Sequence, residues 1–207
     1  HIGKVIKGSI KLKENVYLEI DEKKRNNARA YHSATHLFHE ALRRTLGNHV
    51  TQKGSLVSSE KLRFDFSHNK SIEKNEIYKI EQMVNQMVTG SSEVRTRIMT
   101  PKEAVANGAL ALFGEKYGEE VRVLSMGSEK DNYFSTELCG GTHVKNTSEI
   151  GRFKIVSQSA IAAGVRRVEA LRAEQLENHE KLEKNTKSNV DKKLNNQINL
   201  IKDELKK

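Results

Sequence analysis

Two pairs of metal-binding side chains constrain this chain more than any other feature: His32 with His36, and Cys139 with His143, about a hundred residues apart. On a helix, positions four apart share a face, so His32 and His36 can aim two imidazoles at one point without bending the backbone. Cys139-Gly140-Gly141-Thr142-His143 reads as a non-helical turn in which the two glycines can take positive φ, letting a thiolate and an imidazole point inward. Three nitrogens and one sulfur suit Zn2+ better than magnesium or calcium. The two stretches are therefore expected to meet in space around one ion. His39 lies one turn beyond His36, but a helix does not readily direct imidazoles from three consecutive turns at one point, so His39 is expected to pack or support.

Cys139 is the only cysteine, so no disulfide forms within the chain, and a reducing compartment, the cytoplasm, is the expected setting. No apolar run approaches the length of a membrane span. The balance of 36 Lys+Arg against 27 Asp+Glu gives a net charge of +9, which favours a polyanionic partner. Aromatic residues make up only 5 % of the chain, so contact through phosphate and sugar fits better than base stacking on an aromatic sheet.

The periodicity predicts an α+β fold, mostly antiparallel sheet with packed helices that carry the zinc site, followed by a C-terminal helix. Lys4 to Ile20 alternates apolar and polar residues and reads as two strands at the end of a small β subdomain, residues 1–20. Opening at His1 directly on this alternation, the chain is expected to be a piece of a longer protein. Asp21 to Arg29 reads as a charged connector into a helix over Ala28 to Leu46, closed by Gly47-Asn48. Strands are expected at Val50 to Ser58, Leu62 to Phe66, Val94 to Met99, Val121 to Met126, Tyr133 to Leu138, Phe153 to Ser157 and Val165 to Leu171. Ser71 to Val88 has helical spacing, and Thr100-Pro101-Lys102-Glu103 is a helix start with a capping box, in a short helix ending at Asn107-Gly108. The zinc-bearing domain is thus expected over 21–171. Residues 172–207 turn to Glu, Lys, Asn and Leu, and Leu194, Ile198, Ile201 and Leu205 form a narrow seam, as in a helical linker or the start of a coiled coil through which chains could associate.

Six stretches carry a family likeness. His-Ser-Ala-Thr-His-Leu-Phe-His at 32–39, Gln-Lys-Gly-Ser-Leu-Val at 52–57, Leu-Arg-Phe-Asp-Phe-Ser-His at 62–68, Gly-Ala-Leu-Ala-Leu-Phe-Gly-Glu-Lys-Tyr-Gly at 108–118, Glu-Leu-Cys-Gly-Gly-Thr-His at 137–143 and Ala-Ala-Gly-Val-Arg-Arg-Val-Glu-Ala at 162–170 closely resemble the editing domain of bacterial alanyl-tRNA synthetases. Related domains occur in threonyl-tRNA synthetases and in free-standing trans-editing proteins. The resemblance covers residues 1–171. It implies a zinc-bearing domain that hydrolyses Ser-tRNA(Ala) and Gly-tRNA(Ala), with ligands at the same four residues. It also implies a parent enzyme with a catalytic domain upstream and a C-terminal domain downstream. No aminoacylation motif is present, so this piece is not expected to charge tRNA. Two positions depart from the family: Gln158 stands where Glu is usual, and Arg172-Ala173 where Thr-Gly is usual.

The resemblance points to Gln52 as a residue of the editing reaction, and Thr35, beside His36, is the second candidate. A pocket that hydrogen-bonds the serine hydroxyl would reject alanine, whose methyl leaves those polar groups unpaired. Arg166 or Arg167, with Lys53 and Arg63, is expected to meet the acceptor-end phosphates. The competing reading is a structural zinc module that binds RNA without chemistry, since four protein ligands leave no open coordination position. A free-standing deacylase is the alternative among enzymes.

Overall fold

The computed structural model describes residues 2–110, 118–129 and 132–204. The first long element is α1, Glu22–Leu46, and it begins earlier than the sequence suggests. Asp21 accepts the Lys24 N–H at 2.9 Å as N-cap, and Glu22 sits in the first turn, so the charged "connector" is the first two turns of the helix. Gly47 ends it with φ of 117°. From Ala30 to His39 nearly every side chain is buried, which no amphipathic surface helix shows. The reason is placement: α1 touches strands of both sheets as well as the next helix, α2, Lys74–Thr89. That helix starts three residues after Ser71, with the Glu76 carboxylate accepting the Glu73 N–H at 2.8 Å.

The first sheet contains β1, Gln52–Val57, and β2, Leu62–Ser67, with β6, Phe153–Ala162, and β7, Val165–Arg172, in the order β1-β2-β7-β6. All neighbours run antiparallel. The second holds β3, Arg95–Met99, β4, Val121–Glu129, and β5, Asn132–Leu138, again antiparallel and in sequence order. Between β3 and β4 lies the short α3, Pro101–Ala106, where the expected capping box forms: Thr100 Oγ1 accepts the Glu103 N–H and Glu103 accepts the Thr100 N–H. The main core joins Tyr31, Leu37 and Phe38 of α1 to Ile80 and Val84 of α2, Phe64 and Phe66 of β2, and Phe153 of β6. A smaller one gathers Ala104, Ala109, Val121 and Val123. The long α4, Ala173–Glu204, follows β7 directly. Among the described residues, no helix is long and apolar enough to cross a membrane.

Two expectations need correction. Residues 2–20 form no strand, and their apolar side chains are exposed, Ile6 at 95 % and Leu12 at 93 %. Alternation makes a strand only when a neighbour takes up its backbone hydrogen bonds, and among the described residues none does. β6 also runs to Ala162 instead of Ser157, because two bulges keep it paired with β7 beyond the point where its pattern fades. Of the expected C-terminal seam, Leu205 and the side chains of Leu194 and Ile201 lie outside the described residues, as do residues 111–117 of the fourth family stretch.

The two departures from the family pattern have physical accounts. Gln158 donates to the Ile72 carbonyl at 2.8 Å and accepts the Ile72 N–H at 2.9 Å, a double role an amide fills and a carboxylate does not. The buried Arg172 donates to the carbonyls of Ile150 and Glu149 and to Asn27, and its guanidinium lies 5.6 Å from the centre of the Tyr31 ring. It ties α1 and the 3-10 turn Thr147–Ile150 to the end of β7. Ala173 has φ of 42°, a left-handed conformation that suits the glycine usual there and costs alanine about 1 kcal/mol.

Candidate metal centre

The fold brings His32, His36, Cys139 and His143 together, with one donor atom from each within 4.8 Å of all the others. The histidine pair rides on α1 at its most deeply packed stretch, and Cys139 follows the last residue of β5. Cys139 Sγ lies 3.3 Å from His143 Nε2 and 3.6 Å from His32 Nε2. The rings of His32 and His143 are 4.2 Å apart, and His36 is 5.0–5.1 Å from each. His36 and His143 are buried, whereas His32 is half-buried and marks the open side.

The groups behind the four donors fix which atoms point inward. Glu137 accepts from His36 Nδ1 at 2.8 Å through one oxygen and from His39 Nδ1 at 3.2 Å through the other. His36 Nε2 is then a buried nitrogen with no hydrogen-bond partner, the atom left to bind an ion. His39 stays outside the cluster as expected, its ring tilted at 48° to that of Phe64 with the centres 5.2 Å apart. On the other side, Ser33 Oγ meets His143 Nδ1 at 3.2 Å and accepts the Val144 N–H at 3.1 Å. Arg122 clamps the turn by donating to the carbonyls of Cys139 and Gly141, at 2.9 and 2.8 Å.

This geometry sets the charges. Burial alone would push the Cys139 thiol up, but hydrogen bonds to His143 and His32, with the charge of nearby His36, bring it down to about 3, so a thiolate faces the imidazoles. Burial works against charge on His36 too, yet the neighbouring Glu137 carboxylate raises it to about 10. Glu137 in turn falls to about 2 against its own burial, chiefly through His36 and then His39. Burial lowers His143 to about 4 and keeps it neutral. A thiolate, a neutral imidazole and, once an ion displaces the Nε2 proton that the Glu137 carboxylate favours, the buried His36 nitrogen form a donor set that fits a borderline-soft divalent ion, and these four residues could hold one.

The glycines serve a different purpose from the one their sequence suggests. Neither Gly140 nor Gly141 has positive φ. At Gly141 the requirement is room: a Cβ there would sit 2.8 Å from His32 Nδ1, closer still to Cε1, and 3.5 Å from Cys139 Sγ. Gly141→Ala is therefore expected to push His32 out of the cluster and weaken metal binding more than tenfold, while Gly140→Ala, with open space around it, leaves binding unchanged. Competition against a chromophoric chelator measures both.

The remaining sequence candidates are dispersed. Thr35 is buried and its hydroxyl donates to the Tyr31 carbonyl at 2.8 Å. Gln52 is half-buried on β1, opposite Phe66. Arg167 makes a two-pronged contact with Asp65, at 2.7 and 2.8 Å, and Arg63 approaches the same carboxylate at 3.6 Å. Arg166 points the other way from its neighbour, toward Ser71 and Gln158, and Lys53 is exposed. Sequence reasoning passed over Glu137, Ser33 and Arg122. Strand alternation offers the signal for Glu137: two residues before Cys139, it shares the same face of the chain as it leaves β5.

Residues 121–169, from β4 to β7, match the family described as the threonyl and alanyl tRNA synthetase second additional domain. An alanine--tRNA ligase of Parvibaculum lavamentivorans is 58 % identical over 177 residues, 84 % of this chain and 20 % of that protein. Those of Mesorhizobium japonicum and Sphingopyxis alaskensis are 54 % and 56 % identical over 184 and 174 residues, covering 86 % and 84 % of the chain and 21 % and 20 % of the relatives. The chain thus spans about a fifth of the length of these curated relatives.

Proposed function

We propose, from the premise that this chain belongs to the family of alanine--tRNA ligase segments carrying the threonyl and alanyl tRNA synthetase second additional domain, that it hydrolyses mischarged tRNA(Ala). The substrates are the esters of Ser-tRNA(Ala) and Gly-tRNA(Ala), and Zn2+ is the ion held by His32, His36, Cys139 and His143. The observation that carries this reading is the cluster of four donors bordered, at its half-open His32, by a cleft of about 280 Å3.

When bound, such an ion supplies Lewis acidity toward an ester carbonyl or a fixed wall for the pocket. The chain's own residues do the rest. Glu137 and Ser33 hold two imidazoles in orientation, and Arg122 ties the Cys139 turn to β4. Thr35 has already spent its hydroxyl proton on the Tyr31 carbonyl, so toward a serine hydroxyl it would act as acceptor. Gln52 would offer both an acceptor and a donor. Lys53 and Arg166 are the freer of the four cations proposed for phosphate contact, because Arg63 and Arg167 share Asp65.

The test is direct. Purified protein loaded with zinc is expected to release serine from Ser-tRNA(Ala) while leaving Ala-tRNA(Ala) charged. Equal and buffer-like rates on both would leave only an RNA-binding module.

A further inference from the structure

The cleft beside the metal centre has a wall that the proposed hydrolysis does not use. It is lined by Arg25, Ala28, Arg29, His32, Val57 and Thr142. The first four lie at i, i+3, i+4 and i+7, one stripe of α1 that leads straight to a candidate ligand. Val57 ends β1 on the facing side, and Thr142 belongs to the turn between Cys139 and His143. A second cleft, of about 360 Å3, shares Arg25 and Ala28 and continues past Lys24 and Ser59, so the two make one groove along the start of α1.

In this groove Asp21 pairs with Lys24 at 3.7 Å, which leaves the two arginines without a carboxylate among the described residues. Several other arginines meet carboxylates, Arg44 with Glu40 and Glu129, Arg95 with Glu93, Arg152 with Glu180 and Arg167 with Asp65, and Arg122 and Arg172 meet backbone carbonyls. Among the described residues, neither Arg25 nor Arg29 has a carboxylate within ion-pair distance. Arg29 Nε is moreover a buried N–H with no hydrogen-bond partner. An unpaired buried donor is costly, and an anionic oxygen in the cleft would relieve it with a charge-assisted bond. The backbone around it is already fixed, since the Arg29 carbonyl accepts Ser33 Oγ, the same hydroxyl that touches His143.

We propose that Arg25 and Arg29 form a phosphate clamp for a single-stranded RNA 3′ end, setting its terminal ribose between His32 and Thr142. The two arginines stand one helical turn apart, about 6 Å along the axis, and so grip adjoining phosphates of one strand. Ala28 and Val57 give the sugar a small apolar floor. The clamp rests on the hydrolytic reading for its RNA, and it places the two arginines of α1 ahead of the arginines of β7 in holding the reacting end.

Binding of the zinc-loaded chain to a labelled acceptor-stem hairpin, with or without its single-stranded 3′ nucleotides, tests it. Arg25→Gln and Arg29→Gln are each expected to weaken binding to the intact hairpin about fivefold to tenfold and to lower the slope of log affinity against log salt by about 0.7. On the shortened hairpin they should match the parent protein. Arg25 is exposed, so its variant separates clamp from fold. In deacylation KM should rise with kcat little changed. Parent-like affinity of both variants for the intact hairpin would overturn the clamp, as would an equal loss on the shortened one. Displacement of the 3′ end by inorganic phosphate at matching concentration would reduce it to a general anion site and overturn its RNA assignment. Serine release with no effect of either arginine leaves the hydrolase standing without the clamp. Loss of 3′-end-dependent binding in a protein that releases no serine leaves the clamp without the hydrolase.

Discussion

Cys139→Ala is expected to strip the protein of stoichiometric zinc and to cut serine release from Ser-tRNA(Ala) by more than about a hundredfold, past the 10–100-fold typical of groups that merely support a ligand. The size follows from what the thiol contributes. It is the one anionic donor among the four, already a thiolate because the imidazoles around it stabilise it, and its removal leaves three imidazoles, a set without anionic charge that holds zinc weakly. The fold should lose far less. Cys139 is only partly buried, and the segment around it is fastened by Arg122 and by the hydrogen bond of its own N–H to the Arg122 carbonyl. A thermal melt close to the metal-free parent, together with metal content after dialysis and the deacylation rate, separates the possibilities. Full zinc content in the variant would show that the ion does not sit on this sulfur. Lost zinc with undiminished hydrolysis would make the metal an architectural part only.

The meeting of these residues was legible because each half obeys a local rule. Helical spacing puts His32 and His36 on one side of α1 whatever else the chain does, and a cysteine in a glycine-rich turn has few structural reasons to sit four residues from a histidine. Distances in space were legible only through chemistry, since nothing in the spacing of residues 36 and 139 says that β5 ends against α1. The strands and helices between them followed from alternation and caps, with Thr100-Pro101 the clearest case.

What escaped had specific causes. The start of α1 hid in Asp21–Arg29 because charged residues read as a connector, although Asp21 followed by Glu22 is also a helix start. The segment 2–20 alternates as a strand should, but a partner cannot be seen in the alternating sequence itself. The basic residues misled in another way. Arg63 and Arg167 looked available for phosphate until the register of β2 with β7 placed Asp65 opposite Arg167, whereas Arg25 and Arg29 were submerged in the stretch taken for a linker.

Glu137→Gln is the second large effect, and here geometry fixes both size and sign. The carboxylate accepts from two buried imidazoles at once, and an amide of the same shape can accept through one oxygen while its NH2 opposes the other ring. Zinc affinity is expected to fall 10–100-fold because His36 loses the partner that orients it. In the metal-free protein the same change breaks a buried ion pair, at a cost of about 3 kcal/mol near pH 6. The pH dependence follows from the pair. Glu137 is held down at about 2, so its contribution is complete above the ordinary glutamate value of about 4.3 and disappears as pH falls through 2. His36 is held up at about 10, so its contribution is complete below the ordinary value of about 6.5 and is lost as pH rises through 10. The parent's metal-free stability, relative to the variant, should therefore be greatest between roughly pH 4.3 and 6.5 and shrink on both sides. Urea denaturation of the two proteins at acid, intermediate and alkaline pH reads this difference directly. Curves that stay parallel would mean that Glu137 and His36 do not form the charged pair on which the orientation of the metal-facing nitrogen depends.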